Sequence, residues 1–273
     1  MTITEANKPG LQQKLQSWYD VLVPLIESEV HDKVFSQLKQ ITAAGKVVCP
    51  VAADVFKSFQ ACDRHKVKAV IILQDPYPTF RNNVMVSDGI PLSCSYTKYL
   101  QPSLYMFYQQ LEKEYGFDPD MDQRANLQYL LEEEHVLMIN SALTTEKDKS
   151  GSHQEIWAEW MKWFIENVIN TLYSGLPIVL CGLSAQKLEK HINPLVHHIK
   201  KIEHPAVASY QNREWKADGI FSWINEIIRG NNGPEEMVMW TRKKCETTVD
   251  RQVQKQVGKE LPSAQSLGLP WTE

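Results

Sequence analysis

Polar side chains that could do chemistry stand where mostly apolar stretches of the sequence end. Gln74 and Asp75 follow "VKAVIIL", Asn140 closes "HVLMIN", and His204 follows "VHHIKKIE". A carboxylate can orient a water molecule and stabilise a nearby cation, and a neutral imidazole can donate a hydrogen bond to a developing anion. The amides can recognise the polar edge of a ligand. A Pro-Tyr-Pro sequence directly after Asp75 stiffens the loop that would hold this carboxylate.

Each of these residues also has an ordinary structural explanation. Asp75 precedes a proline, as turn residues often do. Asn140 could cap a turn at the end of a strand, and His204 could be a surface histidine without a chemical role. The observation that favours a site is the joint placement of an acid, two amides and a histidine at the ends of separate stretches.

The stretches themselves predict buried β-strands. Residues 67–73, 135–140 and 176–182 are short and mostly apolar, which is typical of strands that are covered on both faces. Residues 196–205 are more polar, so we expect this strand at an edge of the sheet. Stretches with helical apolar spacing lie between the strands, which predicts an α/β fold with a parallel sheet between helical layers. Ligands bind at the carboxyl ends of the strands in such sheets.

The composition bounds the function. The chain of 273 residues is 43% hydrophobic and carries a formal net charge of −4, which argues against a broad basic surface but allows a local nucleic-acid site. Five cysteines show no C-x-x-C or Cys/His metal spacing, so we expect reduced thiols in an intracellular protein, cytoplasmic or, in a eukaryote, nuclear. No secretory signal opens the chain and no apolar run approaches about 18 residues, so we expect no membrane span.

The C-terminal part of the sequence differs from the rest. After Gly230 the chain becomes more polar and irregular, as in "RKKCETTVDRQVQKQVGKELPSAQ". No internal repeat is present. We therefore predict one catalytic domain over residues 1–240 and an appended tail over residues 241–273.

Blocks of the sequence resemble, in the same order, motifs of the uracil-DNA glycosylase superfamily. "QDPYP" resembles its Q-D-P-Y-H loop, and "VLMINSALTT" resembles its L-L-L-N-x-x-L-T segment. "VLCGLSAQK" resembles its W-G-x-x-A-Q-K segment, and "EHPAVASY" its H-P-S-P-L-S loop. "CPVAADVFKSFQAC", "PSLYMFYQQLEKE" and "FSWINEII" resemble a lead-in segment and two helices of that family. The ordered set spans roughly residues 15–240, and the chain is identified as a divergent member of this superfamily.

The resemblance implies a fold and an activity. The fold is a three-layer α/β/α arrangement with a central, mainly parallel, four-stranded sheet. The activity is that of a monofunctional DNA glycosylase, which flips a base out of DNA and hydrolyses its N-glycosidic bond, leaving an abasic site. Such an enzyme needs no metal ion and no organic cofactor. We expect a monomer that has DNA, single- or double-stranded, as its partner and that does not bind membranes.

The resemblance also implies a role for each matching residue. Asp75 would orient the attacking water and stabilise the oxocarbenium-like sugar, and His204 would donate a hydrogen bond to a carbonyl oxygen of the departing base. Asn140 would read the Watson–Crick edge of the flipped base, and Gln74 would line the same pocket. Tyr77 would stand against the C5 position of uracil and exclude thymine.

Departures from the family pattern fall on the loop after Asp75, on base stacking and on contacts with DNA. The replaced positions are Leu73, Pro78, Leu92, Leu183, Ala206 and Ala208. Leu92 stands where the family has a phenylalanine that stacks on the base, and Ala208 where it has a leucine wedge. Leu183 and Ala206 stand where the family has serines that contact phosphates. The loop before "GIPLS" is longer by about four residues than the family pattern. Ser103 and Ser209 are retained as candidate contacts with DNA phosphates.

Three functions are therefore open at this point. The first is a uracil-DNA glycosylase from a divergent branch. The second is a glycosylase for a bulky modified pyrimidine of viral DNA, with an antiviral role, which the loss of the stacking phenylalanine favours. The third is a catalytically inactive DNA-binding or replication-accessory relative, although the retained Asp75 and His204 oppose it.

Overall fold

A computed structural model of the chain describes residues 8–116, 125–217 and 219–241. The α-helices are α1 (Lys8–Leu15), α2 (Tyr19–Ile26), α3 (Glu29–Ala43), α4 (Lys57–Ala61), α5 (Pro102–Tyr115), α6 (Gln128–Glu132), α7 (Gln154–Asn167), α8 (Leu183–Gln186), α9 (Pro205–Tyr210) and α10 (Ile220–Asn232). The strands are β1 (Val48–Cys49), β2 (Ala69–Leu73), β3 (Phe80–Arg81), β4 (Val84–Met85), β5 (Val136–Asn140), β6 (Thr145–Glu146), β7 (Pro177–Cys181) and β8 (His198–Ile202). The tail expected over residues 241–273 lies outside the described residues except for Thr241.

The central sheet has four parallel strands in the order β5-β2-β7-β8. Ile72 of β2 pairs with Ile139 of β5 on one side and with Leu180 of β7 on the other. Every residue of β2, β5 and β7 is buried, which explains why their sequences are almost purely apolar. The more polar β8 is partly exposed and lies at one edge. The expected four-stranded parallel sheet is confirmed.

The strands are shorter than the sequence predicts. His135 has a φ of +56°, a left-handed conformation that a strand excludes, so β5 begins after this residue. Gly182 has a φ of +88° and ends β7 directly before it. The last strand ends at Ile202, and His204 is the N-cap residue of α9 rather than the end of a strand.

Helical layers cover both faces of the sheet and complete the three-layer α/β fold. In one layer α2, α3 and α7 pack on one another around an aromatic cluster. In that cluster the Phe59 ring centroid lies 5.4 Å from that of Trp18 and 5.3 Å from that of Phe164. The other layer contains α5, α9 and α10, where the Phe107 and Phe221 ring centroids are 4.8 Å apart.

Prolines begin the two helices that border the carboxyl edge of the sheet. Pro102 is the first residue of α5 and Pro205 the first residue of α9. Proline suits this position because its fixed φ is helical and its missing N–H would have no partner there. Each proline fixes where its helix begins, which places Ser103 in the first turn of α5 and His204 at the N-cap of α9. The two helices also pack against each other.

Two small antiparallel sheets shape the loops that follow β2 and β5. β1 pairs with β6, which places Val48 opposite Glu146. β3 and β4 form a hairpin whose turn residues, Asn82 and Asn83, have φ values of +49° and +62°. Such left-handed pairs suit the tight two-residue turns of hairpins. The hairpin lies within the loop that is longer than the family pattern.

The described chain returns to the core near its C-terminal end, after largely exposed residues at 229–236. Trp240 is 2% exposed, and its ring centroid lies 4.7 Å from that of Phe221. The Tyr129 hydroxyl donates to the Trp240 carbonyl at 2.7 Å. The domain boundary at residue 240 stays a prediction. Within residues 8–116, 125–217 and 219–241, no helix combines the length and apolar character needed to cross a membrane.

Candidate active site

A cavity of about 220 Å³ opens at the carboxyl edge of the sheet, next to the ends of β2 and β5 and the start of α9. It is lined by every side chain that the sequence singles out as a site residue. These are Gln74, Asp75, Tyr77, Leu92, Ser103, Asn140, His204 and Ser209. Residues that are far apart in the sequence thus meet in one crevice, although their chemical roles stay predictions.

The Asp75 carboxylate is the acceptor of a dense set of hydrogen bonds. The Ser150 hydroxyl lies 3.0 Å from Oδ1 and 3.2 Å from Oδ2 of this carboxylate. The Gly151 amide donates to Oδ2, and the Gln74 side-chain amide donates to Oδ1 at 3.2 Å. The same Gln74 nitrogen lies 3.0 Å from the Ser150 hydroxyl oxygen. These donors hold the carboxylate in one orientation at the cavity wall.

Burial and hydrogen bonding act on the charge of Asp75 in opposite directions. Burial raises the pKa of the Asp75 carboxyl above its usual value, because a charged group loses hydration there. Hydrogen bonds lower that pKa in part, because they favour the carboxylate over the acid. They come from Gly151, Ser150, Thr145 and Gln74.

Ser150 lies on the loop after β6 and was not singled out from the sequence. The Thr145 hydroxyl donates to the Lys149 carbonyl at 2.8 Å, and the Glu146 amide donates to the Ser152 hydroxyl at 2.8 Å. These bonds close the loop so that Ser150 and its neighbour face Asp75. Ser152 and His153 lie beside it, with His153 Nδ1 2.9 Å from the Thr144 hydroxyl oxygen. That pair shapes the loop and does not line the cavity.

His204 is held as a neutral imidazole. Its Nδ1 accepts a hydrogen bond from the Ala206 amide at 3.2 Å, as the N-cap of α9. Because Nδ1 is the acceptor, the proton of the neutral ring resides on Nε2. Burial lowers the pKa of His204 to about 4, so the ring is neutral at physiological pH. The Nε2–H group is therefore a hydrogen-bond donor that can serve a ligand in the cavity.

Gly182 permits the position of the histidine. A Cβ atom on Gly182 would lie 2.8 Å from the Cβ atom of His204, closer than real side chains come. The φ of +88° at this glycine also favours a residue without a side chain. The turn after β7 therefore needs glycine for both reasons, and His204 packs directly against it.

The Asn140 side chain offers a buried hydrogen-bonding group without a protein partner. It ends β5, is 5% exposed and lines the cavity. Its Oδ1 atom is buried and has no hydrogen-bond partner in the described part of the chain. An unsatisfied buried acceptor costs about 1–3 kcal/mol. Such a group at a cavity wall indicates a ligand that supplies an N–H or O–H donor.

Tyr77 and Leu92 form an adjoining part of the wall. The Tyr77 hydroxyl donates to the Leu92 carbonyl at 3.3 Å, and burial raises the pKa of this phenol well above its usual value, so it stays protonated. Leu92 is 7% exposed and has a φ of +63°, which is uncommon for a branched apolar residue. The surrounding loop must therefore impose this conformation.

A fully buried carboxylate, Asp88, organises that loop and was not recognised from the sequence. Its Oδ1 accepts from the Ile90 amide at 3.1 Å. Its Oδ2 accepts from the Ser93 hydroxyl at 2.6 Å and from both the amide, at 2.9 Å, and the hydroxyl of Ser95. Donors on both sides of Leu92 thus converge on one side chain, which fixes the backbone between them.

The residues expected to contact DNA occupy different depths. Ser103 is 6% exposed and its side chain hydrogen-bonds with Tyr77, so it belongs to the cavity wall. Ser209 lies on α9 and is partly exposed. Ala208 is fully buried and is too deep to contact DNA, whereas its neighbour Val207 is 37% exposed and Tyr210 is 65% exposed.

The donor set offers no metal site. The described ranges 8–116, 125–217 and 219–241 contain no group of three or more His, Cys, Asp or Glu side chains that could hold a metal ion. The cysteines at positions 49, 62, 94 and 181 are buried free thiols. Burial raises the pKa of Cys94 to about 12, which makes it a poor nucleophile.

Comparisons with known proteins agree with this architecture. No protein-family model matches the chain. Uracil-DNA glycosylase of Proteus mirabilis is 32% identical over 219 residues, covering 78% of this chain and 91% of the relative. The enzyme of Tolumonas auensis is 30% identical over 217 residues, covering 78% and 93%. The crystal structure of mimivirus uracil-DNA glycosylase superposes with a TM-score of 0.72 at 23% identity, covering 85% of this chain and 92% of that one.

Removing the Ser150 hydroxyl should raise the pKa of Asp75 further. In Ser150→Ala the carboxylate loses a donor to both of its oxygens, so its charged form is less stable. Ser150→Thr keeps the hydroxyl and should leave the pKa close to the wild-type value. The pKa can be measured by a carbon-13 NMR titration of the side-chain carboxyl, assigned with Asp75→Asn. Equal pKa values in wild type and Ser150→Ala would contradict a role for this hydroxyl.

Replacing the buried Asp88 carboxylate should destabilise the fold. Asparagine has one oxygen where Asp88 uses two, so at least one donor would face an amide N–H. We expect Asp88→Asn to lower the free energy of unfolding by about 1–3 kcal/mol, measured by urea denaturation. Asp63→Asn is the control, because Asp63 caps a partly exposed turn where asparagine serves nearly as well. Equal free energies of unfolding for the two variants would show that the buried Asp88 carboxylate does not stabilise the loop around Leu92.

Proposed function

We propose that this chain, which belongs to the uracil-DNA glycosylase family, excises uracil from DNA. The family relation makes it a DNA glycosylase, a hydrolase that acts on N-glycosyl bonds. The proposal concerns the base that it removes and the residues that remove it. The observation that carries it is the buried, unpartnered amide oxygen of Asn140 in the same cavity as Asp75 and His204.

The Asn140 amide suits the Watson–Crick edge of uracil. Its Oδ1 acceptor needs a donor, and uracil supplies a ring N–H at N3 with a carbonyl oxygen beside it. The amide can accept from the former and donate to the latter, which satisfies both partners. The cavity of about 220 Å³ is smaller than the roughly 300–1,000 Å³ of drug-sized ligand sites, as one extruded base requires.

Bond cleavage places opposite charges on the two products, and the cavity has a group for each. The sugar becomes cationic and oxocarbenium-like, and the Asp75 carboxylate stabilises it and orients the water that attacks. The base leaves as an anion, and the Nε2–H of His204 donates to its carbonyl oxygen. Because the pKa of His204 is lowered to about 4, it donates a hydrogen bond and does not transfer a proton. This is electrostatic preorganisation, in which a well-aimed donor contributes about 3 kcal/mol.

Tyr77 supplies selectivity against thymine. The Tyr77 hydroxyl donates to the Leu92 carbonyl and also hydrogen-bonds with the Ser103 side chain, so two hydrogen bonds fix the position of the ring. A fixed ring beside C5 of the base leaves no space for a methyl group. DNA binding follows from the family relation, and extrusion of the base into the cavity is part of the proposal.

A second candidate substrate is a larger modified pyrimidine. Leu92 lies in the cavity wall where the family pattern has a stacking aromatic ring, so this chain lacks a contact that is worth about 1–3 kcal/mol. A wider base would gain space there. An antiviral role belongs to this candidate. The inactive alternative is opposed by the family relation over most of the chain, which supports a hydrolase.

Release of free base separates the two substrates. The full-length chain is incubated with single- and double-stranded DNA that contains uracil, and in parallel with DNA that contains 5-substituted cytosine or uracil. Release of uracil from the first set supports the proposal. Release from the modified DNA alone supports the second candidate, and intact DNA in every case would refute both.

Asp75→Asn should reduce the rate of base release by at least about 100-fold, because the neutral amide no longer stabilises the cationic sugar. The fold should be retained, since asparagine is close in size. Single-turnover release from uracil-containing DNA measures the rate. Asp20→Asn, which changes an exposed carboxylate in the first turn of α2, is the matched control and should be as active as wild type. Normal cleavage by Asp75→Asn would remove Asp75 from the site.

Leu92→Phe should favour uracil over larger bases. The ring would stack on the base, and we expect the ratio of kcat/KM for uracil to that for a 5-substituted base to rise about tenfold, or about 1.4 kcal/mol. Leu92→Met keeps the volume without a ring and serves as the control. If the phenylalanine and methionine variants have the same ratio, stacking at this position does not determine the choice of base.

A further inference from the structure

The mouth of the cavity has two sides of unlike chemistry. On the side of α8 and α9 the exposed groups include apolar ones, with Leu183 80% exposed and Tyr210 65% exposed. Arg213, which follows α9, is paired with Glu203 at 2.6 Å. That side therefore has exposed apolar groups, and its Arg213 is paired with a carboxylate.

The opposite side carries rings and cations on three separate segments. We call the hairpin surface the group Phe80, Arg81, Tyr99 and Lys147. Each member lies within three residues of one that lines the cavity, namely Thr79, Gln101 or Ser150. The hairpin is joined to the cavity wall, because the Val86 amide donates to the Thr79 carbonyl at 3.0 Å. The Asp148 amide likewise donates to the Pro78 carbonyl at 3.0 Å.

The cations of the hairpin surface are held over aromatic rings. The guanidinium carbon of Arg81 lies 3.1 Å from the ring centroid of Tyr99. The Lys147 ammonium lies 4.9 Å from the ring centroid of Phe80. Both cations are exposed, and neither forms an ion pair with another described residue. Their charges are thus preorganised by cation–π contacts and available to an external anion.

The acidic groups near Lys147 do not cancel this charge. Glu146 is paired with Lys46 at 2.9 Å and also with Lys149. Asp148 is exposed and is the acidic neighbour that lies next to Lys147 in the loop. The hairpin surface thus has two exposed cations, Arg81 and Lys147, and Asp148 is the exposed carboxylate beside Lys147. The net charge of these three groups is positive.

We infer that the hairpin surface binds the phosphodiester backbone of the DNA strand that carries the target base. The inference rests on the proposed function, because the DNA of that reaction is the ligand. The hairpin lies within the segment that is longer than the family pattern, whereas Leu183 and Ala206 replace serines of that pattern. The side of α8 and α9 thus has fewer hydroxyl groups for phosphates, and a guanidinium and an ammonium on the other side of the mouth supply further contacts with the backbone.

Salt dependence of binding tests this assignment. Each phosphate contact of a single strand contributes about 0.7 to the slope of log K against log salt concentration. Arg81→Gln and Lys147→Gln should each lower the slope by about that amount and raise the Kd. Fluorescence anisotropy with a short single-stranded oligonucleotide without uracil measures binding by the full-length chain in a series of NaCl concentrations.

Two further variants separate charge from structure. Arg229→Gln removes an exposed arginine from the last turn of α10, where Asn231 bonds to Gly175 before β7 begins, at the opposite end of the sheet. It should keep the wild-type slope. Arg81→Lys keeps the charge without the planar guanidinium and should keep most of the slope. Thermal unfolding checks that all variants are folded.

The outcomes distinguish this inference from the proposed function. If Arg81→Gln and Lys147→Gln keep the slope of Arg229→Gln, the hairpin surface does not bind the backbone, whatever base is released. If their slopes fall while the wild-type chain releases no uracil, the inference holds and the proposed substrate is wrong. A loss of slope in Arg81→Lys equal to that in Arg81→Gln would also overturn the inference, because charge would then not be the cause.

Discussion

A carboxylate that must stay charged while it is taken out of water is the constraint on which the site depends. Asp75 follows a strand whose residues are all buried, and burial raises its pKa. The loop after β6 offsets this rise with hydrogen bonds to the carboxylate from the Gly151 amide and the Ser150 hydroxyl. Hydrogen bonds within the loop hold it closed. The small sheet of β1 and β6 thus helps to keep Asp75 charged, because it precedes and positions the donors that favour the carboxylate over the acid.

The surroundings of His204 in the cavity wall keep its imidazole ring uncharged. His204 is buried, accepts the Ala206 amide and packs against a glycine that has no side chain to hinder it. A neutral imidazole donor and a carboxylate acceptor therefore line one cavity. These polar groups are held in place by contacts within the protein, so the proposed reaction would need little reorganisation of the site.

A buried polar side chain helps to determine the shape of the pocket. Asp88 collects donors from both sides of Leu92 and holds that residue in a left-handed conformation. The Leu92 carbonyl then accepts a hydrogen bond from the Tyr77 hydroxyl, so the hydrogen bonds to Asp88 also help to orient the Tyr77 ring at the cavity wall. Departures from the family pattern thus surround the mouth of the cavity, in the loop after β2 at Pro78 and Leu92 and in α8 and α9, while Asp75 and Asn140 are retained.

The sequence by itself determined the α/β class, the parallel sheet, the polar edge strand and eight of the residues that line the cavity. These follow from local apolar runs and from ordered motifs, which record what each segment buries. Only the tertiary structure decided the strand order β5-β2-β7-β8, the hydrogen bonds that converge on Asp88 and the contact of Ser150 with Asp75 across 75 residues of sequence. It also moved His204 from a strand end to a helix N-cap. Such contacts depend on how loops close against one another in space, and hydroxyl and amide donors leave no periodic signal in the chain.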